Sequence, residues 1–276
     1  RTNKTYTIGL LIPSIDNPYF ATIASEIVFE AKRYGYTVIL LDTLEDEGNE
    51  SECINTLLTR SIDGIILVPC GERPESLEKI DEQTPIVLID RYFEDTSLSY
   101  ICTDNYRGAL DGVKLLIENG HKEILCIRGV PHSMPSKERV KGYIDALRES
   151  GFDTRSRIAG NDYSITNGYL ETKLAIGSPA RPTAIFALSN TIMLGAIRAI
   201  GESSLRIPDD VSILSFDNNL FLDFLHPAVT RISQPTKEIS QLAVKILMER
   251  LSDKQSVPQQ IKLPAQIIEG KSVKRL

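Results

Sequence analysis

The chain has 276 residues, which is too long for one ordinary domain core and about right for two, since domains cluster at roughly 100 to 150 residues. Its 42% hydrophobic and 25% charged residues exclude an intrinsically disordered chain. The net charge of -6 excludes a domain that itself binds nucleic acid through many phosphate contacts. No apolar run approaches the ~18 residues that a membrane-spanning helix requires, so no membrane segment is expected.

The first part of the chain alternates between strand-like and helix-like segments. Between residues 18 and 34, for example, Phe20, Ile23, Ile27 and Ala31 recur at helical spacing, and Gly35 then ends the helix. Strands are predicted at 6–12, 37–41, 65–68, 86–89 and 100–103, and helices at 18–34, 50–60 and 74–80.

The same alternation then starts again in a second set of segments. Strands alternating with helices of about 10 to 15 residues are typical of parallel sheets covered by helices on both faces. Two such sets in succession predict an α/β protein with two doubly wound parallel-sheet lobes. The second set has predicted helices at 106–118, 137–149, 167–176 and 191–200, and predicted strands at 124–127, 157–159, 184–187 and 211–216.

The last part of the chain complicates the division into lobes. A strand at 229–233, a long helix at 236–251 and a strand-like segment at 260–268 follow after the second lobe looks nearly complete. We interpret this tail as the chain crossing back, so that neither lobe is contiguous in sequence. The predicted lobes are 5–103 with 234–259, and 104–233 with 260–276.

Enzyme signatures are absent from the sequence. No G-x-G-x-x-G follows a strand, and there is no P-loop, H-E-x-x-H or G-x-S-x-G. His121, His132 and His226 are dispersed and have no cysteine or carboxylate neighbours at metal-ligand spacing. We therefore predict no catalytic residue, no cofactor and no metal site, and a sugar-modifying enzyme stays only a distant alternative.

The four cysteines are widely spaced, and none belongs to a C-x-x-C motif. Cys53, Cys70, Cys102 and Cys126 are each flanked by apolar residues, so buried free thiols are favoured over disulfides. Free thiols favour a reducing, cytoplasmic location.

A series of short motifs resembles the effector-binding region of the LacI/GalR transcriptional regulators, whose fold is that of periplasmic sugar-binding proteins. Each motif is weak alone, but their order and spacing over nearly the whole chain make the resemblance specific. The motifs are IGLLIP at 8–13, NPYF at 17–20, DGII at 63–66, PIVLIDR at 85–91, TDN at 103–105, NGH at 119–121, RVKGY at 139–143, RIPDDVSI at 206–213, SFD at 215–217, PAVT at 227–230 and QP at 234–235.

This resemblance implies a function for the chain. It implies a type I periplasmic-binding-protein-like fold with three hinge crossovers, and a small-molecule effector, a sugar or sugar derivative, that the lobes enclose in the cleft between them. It implies a homodimer that binds operator DNA through a helix-turn-helix headpiece, with the helix at 236–251 and the helices of the first lobe as the dimer surface. Residues 1–5 resemble the segment that follows the hinge helix of such regulators, so we expect the headpiece to be absent from this chain.

Four candidate ligand residues are expected on the second lobe. Arg139 opens the R-x-x-G-Y element, and its five fixed donors suit vicinal oxygens, although a surface arginine is the alternative. Asp217 could accept from two sugar hydroxyls or could instead cap a following helix. Asn190 stands where the family more often has a carboxylate, which predicts a different specificity. Tyr163 would stack on the ligand through its aromatic face.

Further candidates lie mostly on the first lobe. Phe20 would stack on the ligand from the side opposite Tyr163, or it belongs to the core of its helix. Parallel sheets bind ligands outside the carboxyl ends of their strands, and five further residues near such positions are candidates at the rim of the cleft. A hinge role is an equal alternative for the two candidates at the crossovers, Asp104 and Gln234. The rim candidates are Ser14, Asp90, Arg91, Asp104 and Gln234.

A periplasmic sugar-binding protein of a transporter is the main alternative function, because it has the same fold and closes in the same way. A signal peptide would favour that alternative, and an upstream helix-turn-helix would exclude it. Pentose, hexose, glycoside, sugar phosphate and purine all remain open as ligands.

Overall fold

The computed structural model describes residues 4–152, 155–253 and 256–276. Residues 1–3 of the opening segment that resembles the post-hinge region lie outside the described residues. Strands and helices alternate along the described chain. The strands are β1 Thr7–Ile12, β2 Thr37–Asp42, β3 Gly64–Leu67, β4 Ile86–Ile89, β5 Ser99–Thr103, β6 Ile124–Ile127, β7 Arg157–Ala159, β8 Ala184–Ala187, β9 Ser212–Phe216, β10 Thr230–Ser233, β11 Gln260–Leu263 and β12 Gln266–Ile268. The α-helices are α1 Pro18–Arg33, α2 Glu47–Thr59, α3 Glu75–Asp81, α4 Asn105–Glu118, α5 Met134–Glu149, α6 Ile165–Ile176, α7 Asn190–Gly201 and α8 Thr236–Ser252.

The chain forms two compact units, and it passes between them three times. The first unit comprises the chain up to Thr103 together with Pro235–Leu263. The second unit comprises Asp104–Gln234 together with Pro264–Leu276. Each unit contains one six-stranded sheet, in the orders β11-β5-β4-β3-β1-β2 and β12-β10-β9-β8-β6-β7.

The sheets are parallel because their strands are apolar enough to be buried on both faces. In β1, the adjacent residues Leu10 and Leu11 are both fully buried but belong to core clusters on opposite faces of the sheet. All strands of the first sheet pair in parallel, and in the second sheet only β12 pairs antiparallel, with β10. The predicted fold class, two doubly wound parallel-sheet lobes, is confirmed.

The boundary between the units differs from the prediction in two places. Gln260–Leu263 was assigned to the second lobe, but it pairs in parallel with β5 of the first unit. Pro264 then interrupts the predicted strand at 260–268, because proline cannot donate a ladder hydrogen bond, and Gln266–Ile268 pairs in the second unit instead. Gln234, predicted in the first lobe, belongs to the second unit.

Two helices also differ from their predicted extents. α5 begins at Met134, earlier than the predicted 137, since the first turn of a helix accommodates Pro135. The predicted helix after Asp217 is only one 3-10 turn, Leu220–Asp223.

Both sheets reverse their strand order at one internal point. Chain order changes direction between β1 and β3 in the first unit and between β6 and β8 in the second. Open α/β sheets bind ligands outside the carboxyl ends of the strands at such a switch point. The loops that follow these strands are therefore where a site is expected in each unit.

Candidate functional site

Arg139 is buried at the carboxyl edge of the second sheet. Only 3% of the residue is exposed, although α5 is a surface helix, so the alternative of a surface arginine is wrong. Its Nε donates to Asn105 Oδ1 at 2.8 Å and its Nη1 donates to the carbonyl oxygen of Leu188 at 2.6 Å. The guanidinium carbon lies 3.7 Å from the ring centroid of Phe216. The guanidinium is thus held in one plane by neutral partners.

Asp217 follows β9 and lies in the same cluster. Its φ of 77° is in the left-handed region, which turns the carboxylate into the protein, where the residue is 3% exposed. One carboxylate oxygen accepts from Gln234 Nε2 at 2.6 Å, and the other accepts from the backbone N–H of Asn190 at 3.2 Å. Burial raises the pKa of Asp217, and the charge of Arg139 partly opposes that rise. The helix-cap alternative is wrong, because Asn219 occupies the N-cap of the turn that follows.

Asn190 is the first residue of α7, and its side chain is unusual. The helix is capped by Ser189, whose hydroxyl accepts from Ile192 N–H at 3.2 Å, so Asn190 is not needed as a cap. The residue is completely buried, and neither its Oδ1 nor its Nδ2 has a hydrogen-bond partner. Most buried polar side chains in proteins are paired, so an unpaired amide indicates a ligand or water that completes the site.

Two further candidates of the second unit, Tyr163 and Asp104, lie at the starts of helices α6 and α4. Tyr163 precedes α6, and its hydroxyl lies 3.0 Å from Ser133 Oγ. A Cβ on Gly129 would come within 2.1 Å of the Tyr163 ring, so only glycine permits this approach. Asp104 is the N-cap of α4, where its carboxylate accepts from Arg107 N–H at 2.9 Å.

In the first unit, Asp90 and Arg91 follow β4 and are both buried. Asp90 has a φ of 64°, and its Oδ1 accepts from the Tyr19 hydroxyl at 2.9 Å. Arg91 forms a two-pronged ion pair with the carboxylate of Glu45, in which Nη2 lies 3.0 Å from Oε2. Arg91 Nη1 also donates to the Pro69 carbonyl oxygen at 3.4 Å, and Nε lies 3.8 Å from Asp90 Oδ2.

Phe20 and Ser14 of the first unit contact residues of their own unit. Phe20 belongs to the buried cluster beneath α1 and meets Tyr19 edge to face, with ring centroids 5.1 Å apart. That placement agrees with the core alternative for Phe20. Ser14 is half-buried after β1, and its carbonyl oxygen accepts from Asn17 N–H at 3.4 Å.

A buried carboxyl and thiol lie beside Arg91. Glu50 on α2 accepts from Cys70 N–H at 2.6 Å, and burial raises the pKa of its carboxyl. Cys70 Sγ lies 3.0 Å from Thr43 Oγ1, and burial raises the pKa of that thiol to about 12.

Comparison with known proteins assigns the chain to a family. A family model described as a periplasmic binding protein-like domain matches residues 113–273. The NTD biosynthesis operon regulator NtdR of Bacillus subtilis is 32% identical over 270 residues, which cover 97% of the chain and 82% of NtdR. The HTH-type transcriptional repressor CytR of Escherichia coli is 33% identical over 256 residues, which cover 91% of the chain and 74% of CytR. The chain belongs to the LacI family of transcriptional regulators.

A solved member of the LacI family supports this assignment. It is a transcriptional regulator from Enterococcus faecium with bound ribose, it is 25% identical to the chain, and the comparison covers 98% of the chain and 99% of that structure. The TM-score is 0.90.

Three partners of the candidate residues in this LacI family member are not among the ligand positions predicted from the sequence. Asn105 holds Arg139, Tyr19 holds Asp90, and Glu45 pairs with Arg91. Asn105 directly follows Asp104 after β5, where the carboxyl-end rule places candidates, and Tyr19 belongs to the NPYF motif, but neither was named as a ligand residue. No pattern signals Glu45, because its pairing with Arg91 spans 46 residues of chain.

Three further features of the described residues are the arrangement of possible metal ligands, the state of the cysteines and the length of the helices. Within the described ranges, no group of three or more His, Cys, Asp or Glu side chains is arranged to hold a metal ion. The four cysteines are free, as predicted, but only Cys70, Cys102 and Cys126 are buried, since Cys53 is partly exposed. None of the helices in the described part of the chain is both long enough and apolar enough to cross a membrane.

Proposed function

We propose that this chain is the effector-sensing part of a bacterial, cytoplasmic, DNA-binding transcriptional regulator, and that its effector is a sugar or sugar derivative. The LacI family membership supports the regulatory role over the transporter alternative, because the similar proteins NtdR and CytR are a regulator and a repressor. The ribose in the Enterococcus faecium regulator supports a sugar.

The unpaired amide of Asn190 is the observation that carries the proposal. Leaving both of its polar atoms buried and unbonded costs about 1–3 kcal/mol, which a ligand can recover. A sugar hydroxyl can donate to Oδ1, and a neighbouring hydroxyl can accept from Nδ2. Beside it, Asp217 supplies acceptors and Arg139 supplies donors. Such a mixed set suits adjacent hydroxyl groups.

The resemblance to the family extends the proposal to the first unit. We take from it that the sugar also meets Asp90 and Arg91, with Ser14, Phe20, Asp104, Tyr163 and Gln234 as further positions around the ligand. A ligand that binds one conformation more tightly shifts the population toward it by that difference in affinity. This shift would change the affinity of the regulator for its operator.

We propose a homodimer in which α1 forms part of the shared surface. Val28 and Phe29 on α1 are 46% and 65% exposed, and exposed apolar side chains favour an interface. α8, the other candidate, is less suitable because its exposed side chains, apart from Ser252 at its end, are charged, which makes them costly to bury. They are Lys237, Glu238, Lys245 and Glu249.

Thermal unfolding in the presence of single sugars, beginning with ribose, tests the proposed ligand class. A sugar that binds only the folded protein raises its melting temperature, by an amount equivalent to about 2.7 kcal/mol at one hundred times the dissociation constant. The proposal fails if no sugar in a panel of pentoses, hexoses and glycosides produces such a shift.

The variant Asn190→Leu sharpens this test. Leucine has a similar volume and no polar atoms, so we expect the free protein to be as stable as the parent or more so, while the sugar-dependent shift disappears. Asn119→Ala is the control, because the Asn119 side chain donates only to the Leu115 carbonyl oxygen at the end of its own helix. An Asn190→Leu protein that binds the sugar with parental affinity contradicts the role of Asn190.

A further inference from the structure

A second concave site lies on the outer side of α5, away from Arg139. The groove has a volume of about 420 Å³, which is within the range of small-molecule sites. Four cationic side chains line it: Arg128, Lys137, Lys141 and Arg148. Lys137, Lys141 and Arg148 are exposed residues on one helix at spacings of four and seven, so they project from the same side.

The charge of the groove is not balanced by its own carboxylate. Asp145 is the one acidic side chain in its lining; it pairs with Arg148 at 2.7 Å and accepts from the Tyr106 hydroxyl at 3.2 Å. Four cations and one carboxylate leave three positive charges, in a chain whose net charge is -6. Arg128 is positioned by donating its Nε to the Gly160 carbonyl oxygen at 3.0 Å.

A buried hydroxyl in the same lining has no partner. Ser136 is in the first turn of α5, it is 1% exposed, and its Oγ makes no hydrogen bond. The N-cap residue Ser133 does not cap the helix, because its hydroxyl bonds the Val130 carbonyl oxygen and Tyr163 instead. The first turn of α5 therefore offers an unpaired hydroxyl and the positive end of a helix dipole on one wall of a basic groove.

We propose that this groove binds a small organic phosphate as a second ligand, separate from the sugar. Backbone amides at a helix start, a serine hydroxyl and flanking Lys and Arg side chains are the groups that recognise phosphate. Val140 and Ile144 give the groove an apolar wall against which the organic part can pack. The proposal does not depend on the sugar site, because none of the groove residues belongs to it.

Calorimetric titration at constant ionic strength tests the proposal with three probes: glycerol 3-phosphate, inorganic phosphate and glycerol. We expect glycerol 3-phosphate to bind, inorganic phosphate to bind more weakly, and glycerol not to bind. Phosphate binding equal to that of glycerol 3-phosphate would mean that the apolar wall contributes nothing and would overturn the organic-phosphate assignment. No binding of either phosphate would overturn the site.

Two variants locate the binding. Ser136→Ala and the double variant Lys137→Gln with Lys141→Gln should each weaken glycerol 3-phosphate binding by about tenfold or more, since each removes a bond to a charged group. The control is Lys271→Gln with Arg275→Gln, two exposed cations of the same unit that do not line the groove. Equal weakening in the control would show unspecific charge attraction and overturn the proposal. The sugar titration should be unchanged in all three proteins, which separates this outcome from failure of the sugar site.

Discussion

Each unit buries one arginine at the carboxyl edge of its sheet, and the two arginines have different partners. Arg91 in the first unit is neutralised by the carboxylate of Glu45. Arg139 in the second unit donates to two neutral oxygens; the Asp217 carboxylate acts on it through its charge, but no ion pair joins them in the described part of the chain. Both residues are about equally buried, at 5% and 3% exposed.

This difference separates an arginine whose charge is neutralised within its own unit from one whose charge a ligand can engage more fully. A buried charge that forms no direct ion pair is costly, and a protein retains it where a ligand supplies the missing interactions. Arg139 interacts with the charge of Asp217, and Asp217 in turn accepts from the backbone N–H of Asn190, whose side-chain amide is unpaired. Arg91 instead donates to the Pro69 carbonyl oxygen in a loop of its own unit. The second unit is therefore expected to contribute more of the ligand affinity.

The largest effect is expected at Arg139. Arg139→Ala should lower sugar affinity by about 2–5 kcal/mol, because the ligand would lose a desolvated charged contact. Calorimetry with the sugar that stabilises the parent measures the change, and circular dichroism checks that the variant is folded. Arg198→Ala, an exposed arginine paired with Glu202, is the control and should bind normally. Unchanged affinity in Arg139→Ala would contradict the placement of the site.

A smaller effect, of a different kind, is expected at Arg91. Arg91→Met should lower the free energy of unfolding by about 1–3 kcal/mol, because Glu45 loses its ion-pair partner and Asp90 loses a nearby positive charge. Its sugar affinity should fall less than that of Arg139→Ala. Urea unfolding and calorimetry measure the two quantities, with the exposed Arg60→Met as control. If Arg91→Met lost as much sugar affinity as Arg139→Ala, the expectation that Arg139 contributes more to ligand binding would be contradicted.

The smallest effect is a pH dependence in the first unit. Because burial raises the pKa of Glu50 in the folded state, the folded protein holds this proton more tightly than the unfolded chain. The contribution of Glu50 to stability therefore falls as pH rises from the ordinary glutamate pKa of about 4.3 through the raised value. Glu50→Gln cannot titrate, so its stability relative to the parent should increase with pH in urea unfolding between pH 4 and 8.

Glu78 offers the control of opposite sign. The hydrogen bond from the backbone N–H of Ser97, followed by one from its hydroxyl, lowers the pKa of the Glu78 carboxyl. The carboxylate of Glu78 therefore contributes stability above the ordinary glutamate pKa, and this contribution is lost as pH falls through the lowered pKa. Glu78→Gln should therefore lose stability relative to the parent as pH rises toward the ordinary glutamate pKa of about 4.3, so this control is measured in acid. If both variants change in the same direction, Glu50 is not held in the environment described.

Most of the fold could be predicted from the sequence, because buried parallel strands are apolar on both faces and stand out between helices. The site could be predicted only in part. Arg139, Asn190, Asp217 and Gln234 follow from motifs and strand ends, and they do lie in one cluster. The lack of a partner for Asn190 could not be predicted, since pairing depends on atoms that distant segments place.

The end of the chain illustrates the same limit. The segment at 260–268 has one apolar pattern, yet it contributes a strand to each unit. Periodicity gives the type of an element but not its neighbour, and Pro264 was the only local sign of the division.

The pairing of β11 with β5 has a consequence for synthesis on the ribosome. The second unit has most of its sequence in one stretch, Asp104–Gln234, and can assemble most of its sheet while translation continues. The first unit starts to be synthesised earlier, but it lacks α8 and β11 until the stretch Asp104–Gln234 of the second unit has been made. Until then β5 is an open sheet edge, which is where a nascent chain is most exposed to aggregation and most in need of a chaperone.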